Sequence, residues 1–205
     1  GTTVKAVAGD GGYEKYLLRQ AEPLGDLSLA ATMEYFKEDS NRAYEDGVAG
    51  SYKDNKAVKK LNLRGEYRGG VNDYYSFVLA ASRAALGDGV LGDPTTPTHN
   101  NDIDDTSLQL KWKRLLDSSN DIEVNLYHNR YNSDANYLLP RLSQIFGLDP
   151  AIITSIFGED SPILIDQGIA MERSSAEFQH RITLGDAWKL VWGGELRGDR
   201  VSSPG

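Results

Sequence analysis

Several clusters in this chain have the residue types that chemistry uses. Gly87-Asp-Gly-Val-Leu-Gly92 fits the spacing G-x-G-x-x-G of a dinucleotide-binding turn. That turn works only where a helix follows, because the helix N-terminus receives the pyrophosphate. Here Asp93-Pro-Thr-Thr-Pro97 follows, which opens no such helix, so the glycines read as a flexible loop. Asn100-Asn-Asp-Ile-Asp-Asp105 is rich in the oxygen donors that Ca²⁺ gathers, with Asp102, Asp104 and Asp105 as the candidate ligands. It lacks the glycine and distal glutamate of an EF-hand, and a solvated acidic loop is the simpler reading. Arg197-Gly-Asp199 spells an adhesion tripeptide near the end of an expected strand, where a three-residue match is easily accidental. His99, His128 and His180 are scattered, there is no cysteine, and no G-x-S-x-G elbow occurs. These observations support neither an enzyme nor a bound cofactor.

Two long segments carry residues suited to binding. Glu38–Lys56 holds Tyr44, Glu45, Asp46 and Tyr52, aromatics beside carboxylates that suit sugars or cationic chelates and equally suit packing between loops. Tyr131–Asp166 predicts a short helical hairpin. Leu139–Phe146 ends at Gly147, Asp149 and Pro150 then supply an N-cap and first-turn proline, and Ala151–Phe157 ends at Gly158. Its apolar residues, among them Phe146 and Phe157, either pack on each other or form a ligand-contacting lid, since long structured loops are usually functional.

The elements that position these segments are strands. Nine stretches alternate apolar and polar with period two, as a pleated strand requires. The gaps between them switch between short (Glu22–Gly25, Arg68–Asn72, Asp117–Ser119, Gly185–Asp186) and long (Glu38–Lys56, Leu86–Asp105, Tyr131–Asp166), with a short first joint at Asp10–Gly12. Tight turns at one end and long loops at the other describe an all-β, antiparallel up-and-down transmembrane β-barrel meander, about nine strands of a larger barrel. One face would carry Leu27, Leu29, Ala31, Met33 and Tyr35, then Leu61, Leu63 and Tyr67, then Tyr75, Phe77 and Leu79. Tyr67, Tyr75 and Trp188 fall near short turns and Tyr35 at the opposite end, as two aromatic girdles would. Closing the tight turns sets Tyr67 against Tyr75, Gly65 against Phe77, Gly194 against Phe178 and Lys113 against Glu123. An aromatic covering a cross-strand glycine is a device of curved sheets.

Bulk properties narrow the partners. A net charge of -8 and a pI near 4.9 argue against nucleic acid, whose phosphates would be repelled. No apolar run approaches the roughly 20 residues of a membrane helix. Without a signal peptide or initiator Met, and ending at Val201-Ser-Ser-Pro-Gly205, the chain is expected to be an internal piece of a longer protein.

The run Leu27-Ser-Leu-Ala-Ala-Thr-Met-Glu-Tyr-Phe-Lys-Glu-Asp-Ser-Asn-Arg-Ala-Tyr-Glu-Asp-Gly47 resembles an early barrel hairpin of TonB-dependent outer-membrane receptors. So do Lys60-Leu-Asn-Leu-Arg-Gly-Glu-Tyr-Arg-Gly69 with Asp73-Tyr-Tyr-Ser-Phe-Val-Leu-Ala80, and the late strand Trp192-Gly-Gly-Glu-Leu-Arg-Gly-Asp-Arg-Val201. The resemblance implies a barrel of about 22 strands plugged by an N-terminal domain. Residues 1–205 would be the early part of that barrel in a bacterial outer membrane, just after the plug. Its partners would be outer-membrane lipid and lipopolysaccharide, the plug, an inner-membrane energy-coupling protein, and a small-molecule or glycan ligand such as an iron chelate (siderophore) or cobalamin. No plug, energy-coupling box or terminal aromatic strand occurs in these residues. A passive porin-like barrel and a soluble β-sandwich binding module are the alternatives, and a barrel-type membrane enzyme a more distant one.

Overall fold

A computed structural model describes residues 1–185 and 187–203; Asp186 of the last short joint, with Pro204 and Gly205, lies outside the described residues. The strands are β1 (Thr2–Ala8), β2 (Glu14–Leu24), β3 (Leu27–Glu38), β4 (Lys56–Arg68), β5 (Asp73–Asp88), β6 (His99–Leu115), β7 (Asn120–Leu139), β8 (Ile163–Asp166), β9 (Ile169–Leu184) and β10 (Trp188–Ser202). Nine of them hydrogen-bond in chain order as one antiparallel meander, and β8 pairs only with the far end of β7. The sheet is open and two-thirds of the chain is strand. Three short helices, α1 (Arg42–Glu45), α2 (Leu142–Phe146) and α3 (Pro150–Phe157), all lie at the long-loop end.

The register matches the expected pairs and corrects their side-chain contacts. Tyr67 faces Tyr75, Gly65 faces Phe77 and Gly194 faces Phe178. Phe77 does lie over Gly65, where a Cβ would sit 2.2 Å from the ring. Phe178 leaves Gly194 open and packs edge-on against Trp192, centroids 5.5 Å apart. Lys113 faces Glu123 in the ladder, yet the ion pairs run diagonally, Lys111–Glu123 at 2.7 Å and Lys113–Asp121 at 3.5 Å.

Strands β5, β6 and β7 overrun the expected boundaries. The acidic run 100–105, read above as a loop, lies inside β6, and residues 131–139 continue β7. These polar runs pair with each other, Asn101 opposite Ala135 through Asp105 opposite Tyr131. Ladder hydrogen bonds hold them extended although Asn and Asp are poor strand formers.

Parity across the ladder divides the side chains into two unlike faces. One is apolar: Val4, Leu18, Met33, Leu61 and Ala81 form one cross-strand row, and Leu27, Tyr67, Tyr75, Trp112 and Val124 another. The opposite face carries ionic clusters, Lys15–Glu34–Lys60 on β2–β4 and Lys111–Glu123–Arg181–Asp121–Lys113 on β6, β7 and β9. The burial is inverted relative to a water-soluble domain. Met33 is 55 % exposed, Leu18 45 % and Leu110 42 %, whereas the side chains of Glu34, Asp121 and Glu123 are only 19, 19 and 16 % exposed.

Gly65 and Gly194 offer a matched test of the aromatic cover. Gly65→Ala must displace the Phe77 ring and is expected to cost about 1–3 kcal/mol. Gly194→Ala meets nothing within 4 Å and is expected to change stability by under about 0.5 kcal/mol. Urea unfolding in detergent micelles measures both, and equal midpoints would mean that Phe77 does not rest on Gly65.

Candidate functional site

The long-loop end is built rather than slack. Residues 39–55 fold around Ser40, which is 3 % exposed. Its Oγ accepts the backbone N–H groups of Asn55 at 3.1 Å and Asp54 at 3.3 Å. Asn41 caps α1 by accepting Tyr44 N–H at 3.0 Å and donates its Nδ2 to the Tyr52 carbonyl at 2.9 Å. This loop is zipped to residues 89–98: Gly50 N–H donates to Leu91 O (2.8 Å), Leu91 N–H to Ser51 O (2.9 Å) and Lys53 N–H to Gly89 O (3.0 Å).

The candidate residues of this loop take different parts. Tyr44 is half-buried, Glu45 and Asp46 are exposed, and Asp46 faces Arg42 at 3.5 Å. Tyr52 has its backbone fixed in a bridge to Val90 while its side is 65 % exposed. The glycine-rich run expected to be flexible is half of this zipped pair. No helix follows it. Asp93 instead closes a turn, accepting Thr95 N–H at 2.7 Å and Thr95 Oγ1 at 2.6 Å, and these bonds hold its carboxyl below the usual carboxylate range.

The helical hairpin forms where Asp149, Pro150 and the two glycines place it, except that its first helix begins at Leu142 and not at Leu139, which is the last residue of β7. Asp149 accepts Ala151 N–H at 2.8 Å, and Gly147 and Gly158 cap α2 and α3 in left-handed conformations with φ of 64° and 86°. Ile153, 2 % exposed, is the buried centre, while Phe146 and Phe157 turn outward at 63 and 62 % exposed. Asp160, which sequence reasoning missed, ties the hairpin down by accepting Ser143 N–H at 3.1 Å and Ser143 Oγ at 2.5 Å. Tyr52 and the α1 residues thus belong to one folded loop, and Phe146 and Phe157 to the hairpin, at the same end of the sheet.

The remaining motifs are absorbed by the sheet. Asp102 and Asp104 share the apolar-belt face of β6 above the belt, Asp105 points to the opposite face, and Asp104 is taken up by Arg83 at 2.7 Å. Among the described residues no group of three or more His, Cys, Asp or Glu is placed to hold a metal. Arg197 and Asp199 lie within β10, not at its end, and both side chains are tied up, Asp199 accepting from Arg173 at 2.7 Å and from Arg197 at 2.9 Å. His99 stacks on Tyr137 with centroids 4.6 Å apart, and His180 packs edge-on against Trp192. His128 meets Ser174 Oγ at 2.9 Å, but Glu172 is 3.9 Å from its other nitrogen, beyond hydrogen-bond reach. Ser174 sits inside the β7–β9 and β9–β10 ladders, which engage the neighbouring backbone N–H groups that an oxyanion hole would need.

At the short-turn end the charged face of the sheet is concave. A cavity of about 830 Å³ is lined by Ser28, Arg64, Glu66, Tyr74, Lys111 and Lys113. Arg68 stacks over Tyr74 with its guanidinium 5.7 Å from the ring centroid. Comparisons with protein-family models, with curated proteins and with solved structures return no match.

Ser40→Ala removes the acceptor for two backbone N–H groups and is expected to cost about 1–3 kcal/mol locally, read as faster amide exchange at Asp54 and Asn55. The Ser143 hydroxyl holds the half-buried Asp160 carboxyl below its ordinary range. A depressed folded pKa contributes stability above the unfolded value of about 4, lost as pH falls through the folded value. Amide protection over 143–158, corrected for intrinsic rate, should therefore fall on acidification and be low and pH-independent in Asp160→Asn; unchanged protection in the variant would contradict this.

Proposed function

We propose that this chain forms wall and outer vestibule of an outer-membrane β-barrel, in a receptor of the TonB-dependent type that imports a scarce ligand. The observation that carries the membrane reading is the inverted burial: Leu, Met, Tyr and Trp face outward while paired carboxylates and cations are sheltered on the other side. Lipid is the surrounding that makes such a distribution favourable, because apolar surface is then never held against water.

The dimensions agree. The Tyr16–Tyr35 pair (centroids 6.3 Å) lies toward the long-loop end and the Tyr67–Tyr75 pair (6.0 Å) at the short-turn end. On β3 their rows are eight residues apart, Leu27 to Tyr35, which is about 26 Å along a strand and about 20 Å after a tilt of about 40°, near the height of an outer-membrane apolar belt. Trp112 joins the lower girdle with its indole N–H donated to Asp73 at 3.0 Å. No described helix is long and apolar enough to cross a membrane, which has no bearing on strands.

The receptor reading rests on the resemblance of the early hairpins and on the built outer loops. Tyr44, Glu45, Asp46 and Tyr52 would contact a sugar or cationic chelate from one loop, and Phe146 and Phe157 from the hairpin. The polar face would meet a plug that an inner-membrane protein moves, while lipid and lipopolysaccharide cover the apolar face. The chain itself would supply binding surface and passage, with no covalent chemistry.

The test uses two neighbours that the pleat sends to opposite sides, Leu63 on the belt and Asn62 on the polar face. For folding into bilayers, Leu63→Arg is expected to cost about 2–4 kcal/mol, and Asn62→Arg under about 0.5 kcal/mol. Equal penalties, or a protein that folds in buffer without lipid or detergent, would overturn the membrane reading in favour of a soluble binding module. Steady ion conduction without a plug would favour a passive barrel.

A further inference from the structure

On the outward face like charges stand directly opposite each other at Asp102 and Asp134, and again, with opposite sign, at Lys59 and Arg83. The Lys59 and Arg83 pair lies in the β4–β5 ladder, where like charges repel. Arg83 is neutralised from its other side by Asp104, with bonds of 2.7 and 3.1 Å. Lys59 has Tyr35 on its other side and forms no ion pair among the described residues. Among the described residues the Lys59 charge is therefore unpaired on the rim of an apolar surface, while Asp102 and Asp104 lie on the far side of Arg83.

Immediately toward the short turns lies a groove of about 780 Å³. Its floor is the single cross-strand row Val4, Leu18, Met33 and Leu61, which ends on the small side chain of Ala81. The stacked Tyr16 and Tyr35 rings stand beside Lys59 in the row above. Val4 is 73 % exposed and Met33 55 %, so the floor is open to an occupant.

We propose that this groove binds an acyl lipid bearing a phosphate headgroup, its chain along the apolar row and its phosphate between Lys59 and Arg83. The anion turns a repulsive cation pair into a bridged one, and the Arg83–Asp104 pair remains intact. A long apolar floor selects a lipid over free phosphate. A cationic end selects an anionic headgroup over a zwitterionic one. The site rests on the membrane reading above and adds to it a place and a headgroup chemistry.

The test counts lipids retained by the purified protein in neutral detergent, using native mass spectrometry with phosphatidylglycerol and phosphatidylcholine as probes. The expected result is one phosphatidylglycerol held at least tenfold more tightly than phosphatidylcholine. Lys59→Gln should abolish that preference and Lys59→Arg should keep it. Lys59 has no partner to orphan, so Lys59→Gln should fold like the parent by tryptophan emission. Arg200→Gln, a cation on the same face at the far strand β10, should leave the preference unchanged. Equal retention of both lipids, an unaltered preference in Lys59→Gln, an equal loss in Arg200→Gln, or displacement by inorganic phosphate would each overturn the site. A protein that passes the Leu63 and Asn62 comparison yet shows no headgroup preference refutes the groove alone; one that fails both refutes the membrane reading as well.

Discussion

Side-chain parity across the antiparallel ladder is the constraint on which this structure depends. Nine strands keep one register from β1 to β10, so that every residue opposite Leu61 or Tyr67 along the row points the same way. A slip of one residue in any strand would carry its Leu and Tyr side chains onto the charged face and its Glu and Lys side chains onto the belt. The cross-strand details then pin that register. Phe77 rests over Gly65, Tyr67 stacks on Tyr75, and Arg83 takes Asp104 in a two-bond clasp.

With parity fixed, the energetics are decided by what covers each face. The described residues contribute a single layer, and the helices sit at the loop end instead of on the sheet. Among the described residues those with buried side chains are few and do not form a sheet core: Val58, Ala135, Ile153, Ser40, Ser133 and Ser143, beside the glycines Gly65, Gly89 and Gly168. The hydrophobic effect that stabilises a soluble domain, about 25 cal/mol per Å² of apolar area removed from water, is not collected within these residues. The ionic side is better sheltered. Arg181 reaches both Asp121 at 3.5 Å and Glu123 at 3.2 Å, and Lys111 adds a second bond to Glu123. Such a network replaces lost hydration only if its members stay paired, which the shared register ensures.

Legibility in the sequence followed the range of the interaction. Period-two alternation and short turns are local, and they placed the meander, the Tyr67–Tyr75 pair and the pairing of Gly65 with Phe77, whereas the Tyr16–Tyr35 pair emerged only from the register. The hairpin was equally plain, because Asp149, Pro150, Gly147 and Gly158 each act on their own helix end. What stayed hidden depends on partners distant in sequence. β6 and β7 extend through polar runs because each is the other's ladder partner, and β8 is only four residues long and docks on the end of β7. Phe178 chose Trp192 over the open space above Gly194 through a packing preference that register alone does not encode. The zip between residues 50–53 and 89–91, the Asp160 clamp and the opposed Lys59 and Arg83 likewise appear only when separate segments are brought together. Among the binding candidates, the sequence assigned the six residues to two separate segments but did not show that Phe146 and Phe157 would turn outward from the hairpin.

The chain contains three tryptophans, and Trp112, Trp188 and Trp192 all fall on the apolar face. Their emission, measured in bilayers whose acyl chains carry bromine and compared with unbrominated bilayers, tests directly whether that face meets lipid. The account predicts strong quenching by brominated chains together with poor quenching by aqueous acrylamide. Emission insensitive to bromine would place the apolar face against protein or water and contradict it.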